Sequence, residues 1–562
     1  MEKRAILAAM LMAGLLIAYQ ALFTPPAPEA PPPAKTTQAP APAAPTPVAG
    51  VPPVPPPTAA PAPVVPERSA TIDTPLYRAV VSSGGGAFRE WLLHYRGDKP
   101  LVVPGLSGPE GLVVERANTP AAPVAFQLST DKVALARGGG TAELQLVGED
   151  GYGLRITRTL TFHGDNYRID ESIRVENKHA VPQSADLVLA WTAPVEWPKD
   201  QPEKFQGQHA TRIVGRAAGA VRREDLAHAA PKVTDGEWIG VESEWYVAAF
   251  VPRTPGMKLL EAKASPPSGP AVIRVGLRAP LPPLAPGQVW EGKAQHYVGP
   301  KEYERLKALG VGLEQSIYFG GFPLPQHYGG LPMEWVVVPV LWLMHWFYKF
   351  TGNYGIAIIL LTVIFKVLFF PLTVKSMKSM KAMQAIQPQV NALRAKYKSE
   401  PQKVQQETME LYRKHGVNPL GGCLPMIVQI PIFYALYVAL AVSVELQNAP
   451  FLCVGRLFGM DLWICDLAAQ DPTYVLPLLM GVTMFIQQKM TPVMGDPRQA
   501  KMMLFMPVVF TFMFLNLPSG LVLYWTLSNV LQIAQQYYMN QEGKEGKEGK
   551  SEKAPARAAK KA

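Results

Sequence analysis

Residues that carry chemistry are sparse in this sequence. Three cysteines among 562 residues are too few for a disulfide framework. No His/Cys cluster has the spacing of a zinc site. GxSxG, HExxH and GxxxxGK[ST] are all missing, so no serine hydrolase, zinc protease or P-loop is indicated and no cofactor is implied. The glycine-rich SSGGGAF (Ser82–Phe88) lacks phosphate-loop spacing and reads as a turn. Charge is also scarce, at 17%, against 48% hydrophobic residues. That balance fits a chain partly in water and partly in lipid, and its length calls for several domains. The net charge of +10 matters mainly through its distribution.

Lys3 and Arg4 precede an apolar run, Ala5–Phe23, long enough to cross a bilayer. No A-x-A cleavage site follows, so residues 1–23 are expected to be an uncleaved anchor with a cytoplasmic N-terminus. Residues 24–66 are dense in Pro and Ala and read as an extended linker. At ~3.1 Å per residue it would reach roughly 100 Å. Residues 67–315 change to short alternating strands, as in YGLRITRTLTF (Tyr152–Phe162) and YRIDESIRVEN (Tyr167–Asn177), with the turn signal HGDN between them. This predicts one large all-β sandwich. PKEYERLKALG (Pro300–Gly310) then reads as a short helix, with proline at its start and glycine at its end.

Apolar runs dominate the remainder. They are 334–350, 354–374, 421–442, 473–490, 501–517 and 521–539. The segment 375–420 carries Lys375, Lys378, Lys381, Arg394, Lys396, Lys398, Lys403, Arg413 and Lys414 against three glutamates. Cytoplasmic loops carry the Lys/Arg excess, so this segment belongs inside. The loop 443–472 has Glu445, Asp461, Asp466 and Asp471 against Arg456 alone and belongs outside. Parity then places the tryptophan-rich run 334–350 along the outer interface as an amphipathic helix, kinked at Pro339. Six spans result, counting the anchor. Both termini, including the basic tail 540–562, lie in the cytoplasm, and the β domain lies in the periplasm.

Lys366 sits in the middle of ILLTVIFKVLFFPLT (Ile359–Thr373). A charge at that depth costs about 2.5–3.5 kcal/mol on insertion scales. It shares a helix face with Ile359, Thr362, Phe369 and Thr373. Its nine-residue separation from Lys375 puts it roughly 13 Å from the cytoplasmic boundary at ~1.5 Å per residue. Snorkelling to the headgroups is one account. Gln429 on the next span, and Ser528, Asn529, Gln532, Gln535 and Gln536 on the last, support another: a polar cavity open to the cytoplasm. Interhelical hydrogen bonding that only holds the bundle together is a third. The segment Lys375–Pro419 reads as two helices, the second starting at Pro401, capped by Ser399 and ending at Gly416. Met377, Met380 and Met383 recur at intervals of three, suited either to a varied apolar partner or to internal packing.

VNPLGGCLPMIVQIPIFYALY (Val417–Tyr437), AQDPTYVLPLLMGVTMF (Ala469–Phe485), PSGLVLYW (Pro518–Trp525) and FPLT before the basic hairpin resemble the YidC branch of the YidC/Oxa/Alb membrane protein insertases. The order of anchor, periplasmic domain and five core spans is similar to that branch as well. The resemblance implies a polytopic α-helical membrane protein with a five-helix insertase core and a periplasmic β-super-sandwich related to sugar mutarotases. It implies a non-enzymatic insertase and chaperone of the bacterial inner membrane, with a hydrophilic groove open to the cytoplasm, acting alone or with the Sec translocon and its accessory subunits. The other implied partners are nascent membrane proteins, the ribosome, a targeting receptor and the lipid bilayer, with no specific nucleic-acid sequence. The expected groove residues are Lys366, Thr362, Gln429, Phe433, Tyr524, Trp525, Asn529 and Gln532. Met377, Met380 and Met383 would serve hairpin contacts. The family usually has arginine where this chain has Lys366, and lysine lacks the bidentate fork. LCVGRLFGMD (Leu452–Asp461) looks like an insertion in the outer loop.

Two rival functions have different signatures. A transporter or channel would use Lys366 as its coupling charge, but no repeat of spans and no second buried charge accompany it. A membrane-tethered sugar-active enzyme would need assembled histidines and carboxylates, and His163, His179 and His209 are scattered in the sequence. Cys453 and Cys465 share the outer loop, where a disulfide persists if the compartment is oxidising. A bridge there would contribute about 3 kcal/mol by chain entropy. Two free thiols are the alternative.

Overall fold

The fold was analysed in a computed structural model. It describes residues 67–117, 119–136, 138–198, 209–264, 270–322, 331–397, 400–417, 424–457, 460–490 and 504–551. The expected anchor and linker, 1–66, lie outside the described residues.

Strand alternation builds the first part as expected. Leu154–His163 pairs antiparallel with Arg168–Asn177, with Ile156 opposite Val175. Arg168–Asn177 pairs in turn with Val289–Pro300. These are central strands of a nine-stranded sheet, which packs with a six-stranded sheet around Asp186–Pro194 and a five-stranded sheet around Tyr77–Ser82. Inward residues of every second position, such as Leu154, Ile156, Leu160 and Phe162, form the core.

Two charged residues fall on this inward register. Arg158 and Glu171 are both buried, and the Arg158 Nε donates to Glu171 Oε1 at 2.6 Å. His296 Nε2 meets the other carboxylate oxygen at 2.5 Å. Arg158 Nη1 also donates to the carbonyl of Gly85 at 2.7 Å. This explains the glycine-rich turn: Gly85 and Gly86 have φ of 70° and 64°, and a Cβ at Gly86 would collide with Arg158. The turn is thus tied to the main sheet by a buried ion network.

Eight α-helices are described after the strands of the β domain. α1 (Tyr303–Ala308) ends the β domain, and α2 (Glu334–Thr351) holds Pro339 inside it. α3 (Tyr354–Lys396) is followed by α4 (Pro401–Lys414) and α5 (Leu424–Val442). α6 (Val475–Met490), α7 (Met506–Phe514) and α8 (Ser519–Ser551) complete the bundle. Among the described residues α3 alone is long and apolar enough to cross a membrane, while parts of α5 and α6 are shorter apolar helices. The helix boundaries differ from expectation most in three places, and one of them is α7, which covers only Met506–Phe514 of the expected span 501–517. The expected break near Val374 does not occur, and α3 continues to Lys396 through Pro371 and Pro388. The composition turns from apolar to basic there, but Lys, Met, Ala and Gln are good helix formers, so the backbone has no reason to stop. α8 likewise runs past Met539 to Ser551. The α4 N-cap is Glu400, and Ser399 lies outside the described residues.

α2 is two-faced. Val337, Val340, Met344 and Phe347 are buried, whereas Trp335, Trp342, Trp346 and Phe350 are exposed. Gly352, at φ 64°, ends α2, and Asn353 Oδ1 accepts from Ile356 N to cap α3.

Burial pushes the Glu171 carboxyl up, but Arg158 and His296 outweigh it and hold its pKa at about 2. A depressed carboxylate stabilises the fold above its unfolded value near 4.5 and loses that contribution as pH falls through about 2. Glu171→Gln in the detergent-solubilised full chain should lower the β-domain transition at pH 7 by about 3 kcal/mol, roughly 10 °C in Tm. β-sheet circular dichroism checks this. An unchanged transition would mean that the network contributes nothing.

Candidate functional site

The helices meet along a polar seam. Lys366, on α3, donates from Nζ to Gln532 Oε1 on α8 at 3.0 Å. One turn earlier on α8, Asn529 Nδ2 reaches Thr483 Oγ1 on α6 at 3.4 Å. One turn later, Gln536 Nε2 donates to the carbonyl of Met490 at 2.9 Å. Lys381 Nζ closes the series on the Met539 carbonyl at 2.8 Å. Ser528 Oγ and Gln535 Nε2 are buried without a partner among the described residues. The seam therefore holds donors and acceptors that the bundle itself does not fully satisfy.

Aromatic residues flank the seam. Phe433 on α5 lies 4.5 Å from the Trp525 ring and 6.3 Å from Tyr524. Trp525 also packs edge-on against Phe514 at 5.0 Å. α6 and α7 approach closely at Gly481, where a Cβ would collide with Thr511 Oγ1.

The expected residues divide. Lys366, Gln532 and Asn529 enter the seam, and Phe433, Tyr524 and Trp525 its aromatic flank. Thr362 is buried, but its hydroxyl donates to the Ile358 carbonyl of its own helix at 2.7 Å. Gln429 lies on α5, and its side chain falls outside the described residues. Met377 and Met383 are buried and Met380 is half-buried. Thr483 was not anticipated. A lone threonine in an apolar helix is too common to signal a partner, and only the proximity of Asn529 distinguishes it.

The other end of the bundle carries the β domain. Tyr246 donates its hydroxyl to Gln447 Oε1 at 2.6 Å, and Asn448 Nδ2 reaches the Arg96 carbonyl at 3.2 Å. The Arg96 guanidinium sits over the rings of Tyr354 and Tyr348 at 5.2 and 5.9 Å. Beside this contact, Cys453 and Cys465 are disulfide-bonded across the hairpin formed by Leu452–Leu457 and Met460–Ile464. The hairpin base is held by Asn353 Nδ2 on the Phe451 carbonyl at 3.2 Å, and Phe451 covers Gly355. Ser519, at the start of α8, donates to the Asp466 carbonyl at 2.8 Å. The bridged hairpin thus adjoins the first turns of α3 and α8, the helices that share Lys366 and Gln532. Burial pushes the Asp466 carboxyl up, against its bonds to nearby backbone N–H groups.

The sugar-active alternative has a candidate cluster in Arg158, Glu171 and His296, which was not assembled from the sequence. The cavity beside it holds only ≈ 30 Å³, room for water and not for a sugar ring. His163 pairs with Asp170 and His209 stacks on Trp197, away from that cluster.

These features define a class: an apolar helical bundle with a polar interior, joined at one end to a large β-sandwich. Residues 346–547 match the family described as 60Kd inner membrane protein, and residues 69–325 match the YidC periplasmic domain. The membrane protein insertase YidC of Citrifermentans bemidjiense is 39% identical over 567 residues, covering 96% of this chain and 99% of that one. That of Syntrophus aciditrophicus is 39% identical over 490 residues, covering 85% of each chain. A crystal structure of an active YidC insertase is 19% identical, covers 84% of this chain and 93% of its own, and superposes with a TM-score of 0.35. The chain belongs to the YidC family of membrane protein insertases.

Thiol labelling of the purified full chain should modify Cys423 at once and Cys453 and Cys465 only after reduction. Three labelled cysteines before reduction would show that the bridge does not form.

Proposed function

We propose that this chain inserts newly made proteins into the bacterial inner membrane through the seam between α3, α6 and α8. A short polar segment of the substrate enters from the cytoplasm and meets Lys366, Gln532, Asn529 and the unsatisfied groups near them. These replace part of its lost water and lower the cost of halfway transfer. Lys366 attracts acidic groups, and the neighbouring apolar helix of the substrate partitions into lipid. No covalent bond is made or broken, so the process is not enzymatic. The contact between Lys366 and Gln532 carries the reading, because it supports an ammonium held inside the bundle rather than one snorkelling to the surface.

Six spans with both termini in the cytoplasm fit this function. The start of α3 and the end of α5 both adjoin the β domain, which supports one common outer side for that domain and the loop 443–472. α2 then lies in the outer interface with its tryptophans towards lipid. The basic end of α3 together with α4 faces the cytoplasm and suits a ribosome, a targeting receptor or a nascent chain. The Sec translocon and its accessory subunits would meet the same bundle laterally. We assign Gln429 to the groove from its position on α5 alone.

The charge of Lys366 should matter more than its shape. Lys366→Arg should insert a single-span substrate with an acidic translocated tail at near the wild-type rate. Lys366→Leu should slow that insertion about tenfold and Lys366→Glu more, the former corresponding to roughly 1.4 kcal/mol at the barrier. Insertion into proteoliposomes measures both. Wild-type rates in Lys366→Leu would refute the role of the charge.

A further inference from the structure

A second polar cavity lies far from the seam, between α1, α2 and the turn after α5. Its volume is ≈ 520 Å³, within the range of small-molecule sites. One wall is apolar, with Leu341, Trp342 and Trp346 of α2. Trp342 and Trp346 remain 59% and 44% exposed, so this wall continues onto the outer surface of the helix. The other walls are charged.

Three of the charged residues, Glu304, Glu445 and Lys349, have no ionic partner among the described residues, and Glu304 is exposed to water. Glu445 accepts a hydrogen bond from Ser443 Oγ at 2.6 Å and forms no ion pair there. Lys349, on α2, lines the same cavity and is likewise without an ion pair there. Glu302 lines it too, but its carboxylate is paired with Arg305. Burial, with Glu302 adding to it, pushes the Glu445 carboxyl up, so a cation entering the cavity would favour its ionised form. With Glu304 solvated at the rim, the half-buried Glu445, the unpaired Lys349 and the indole wall are complementary to a zwitterion attached to apolar chains.

We infer that this cavity binds the headgroup of a phosphoethanolamine lipid from the outer leaflet. The primary ammonium donates to Glu445, the phosphate accepts from Lys349, and the acyl chains leave along Leu341, Trp342 and Trp346. A quaternary ammonium has no N–H to donate to the carboxylate, and an anionic glycerol headgroup would leave Glu445 unpaired. The site rests on the reading of α2 as an interfacial helix. It would couple the tilt of α2, and through Gly352 the start of α3, to the lipid present.

Two measurements on the full chain in nanodiscs test this. Quenching by headgroup-brominated lipid that falls in Trp346→Phe locates α2, and no such quenching overturns both the interfacial reading and the site. Photoreactive phosphatidylethanolamine should label the peptides spanning 334–351 and 443–447 at least fivefold more than phosphatidylglycerol or phosphatidylcholine probes with the same chains. Glu445→Gln should lower that labelling at least threefold. So should Leu341→Trp, which fills the cavity from its apolar wall, and an unchanged β-domain Tm in either variant shows that the fold is kept. If Trp346 is quenched but the three probes label alike, or neither variant lowers labelling, the helix is interfacial and the headgroup site is refuted.

Discussion

An ammonium inside an apolar helix needs a polar partner, and in this protein that need organises the bundle. Lys366 finds Gln532, which fixes how α3 and α8 face each other. The rotation of α8 is then set, so Asn529 and Gln536 turn towards α6. Each contact is a modest hydrogen bond. Interhelical bonds of this kind contribute about 1 kcal/mol apiece, and their value lies in specifying one arrangement. The same groups that orient the helices are incompletely satisfied, as Ser528 and Gln535 show. That residual capacity is what a substrate's polar segment would use.

The β domain is bound to this arrangement through contacts with definite chemistry. Tyr246 on Gln447, Arg96 over Tyr348 and Tyr354, and Asn448 on the Arg96 carbonyl join it to the turn after α5 and the first turn of α3. The Cys453–Cys465 hairpin adds a covalent constraint beside the same turn. Lys366 lies three turns further along α3. Movement at the β-domain end of α3 therefore reaches the polar seam through one continuous helix. The buried network of Arg158, Glu171 and His296 does comparable work inside the sandwich, tying a glycine-rich turn to the main sheet.

Much of the fold was legible in the sequence because it follows from short-range pattern. Period-two alternation marked the strands about HGDN, and the two strands pair antiparallel there, in a register that a one-residue slip would spoil by turning every side chain to the wrong face. Lys366 and the amides of α8 were conspicuous because they interrupt apolar runs, where such residues would be costly in lipid. Helix ends were read less well. Charge and hydropathy report the solvent a helix meets, not where its backbone bonds stop, so α3 runs on through Lys375 and α8 through Met539.

The partners of those residues were decided only by tertiary structure. The sequence by itself determined that Lys366 and the α8 amides interrupt apolar helices, because polarity and position along a helix are properties of single residues. It did not determine that Gln532 rather than Gln535 receives Lys366, that Thr362 turns to its own backbone, or that Thr483 joins the seam. Those outcomes depend on helix rotation and crossing, set by packing such as Gly481 against Thr511. Arg158, Glu171 and His296 illustrate the same limit: they are 13 and 125 residues apart along the chain. Only the folding of three strands into one sheet brings them within hydrogen-bond distance.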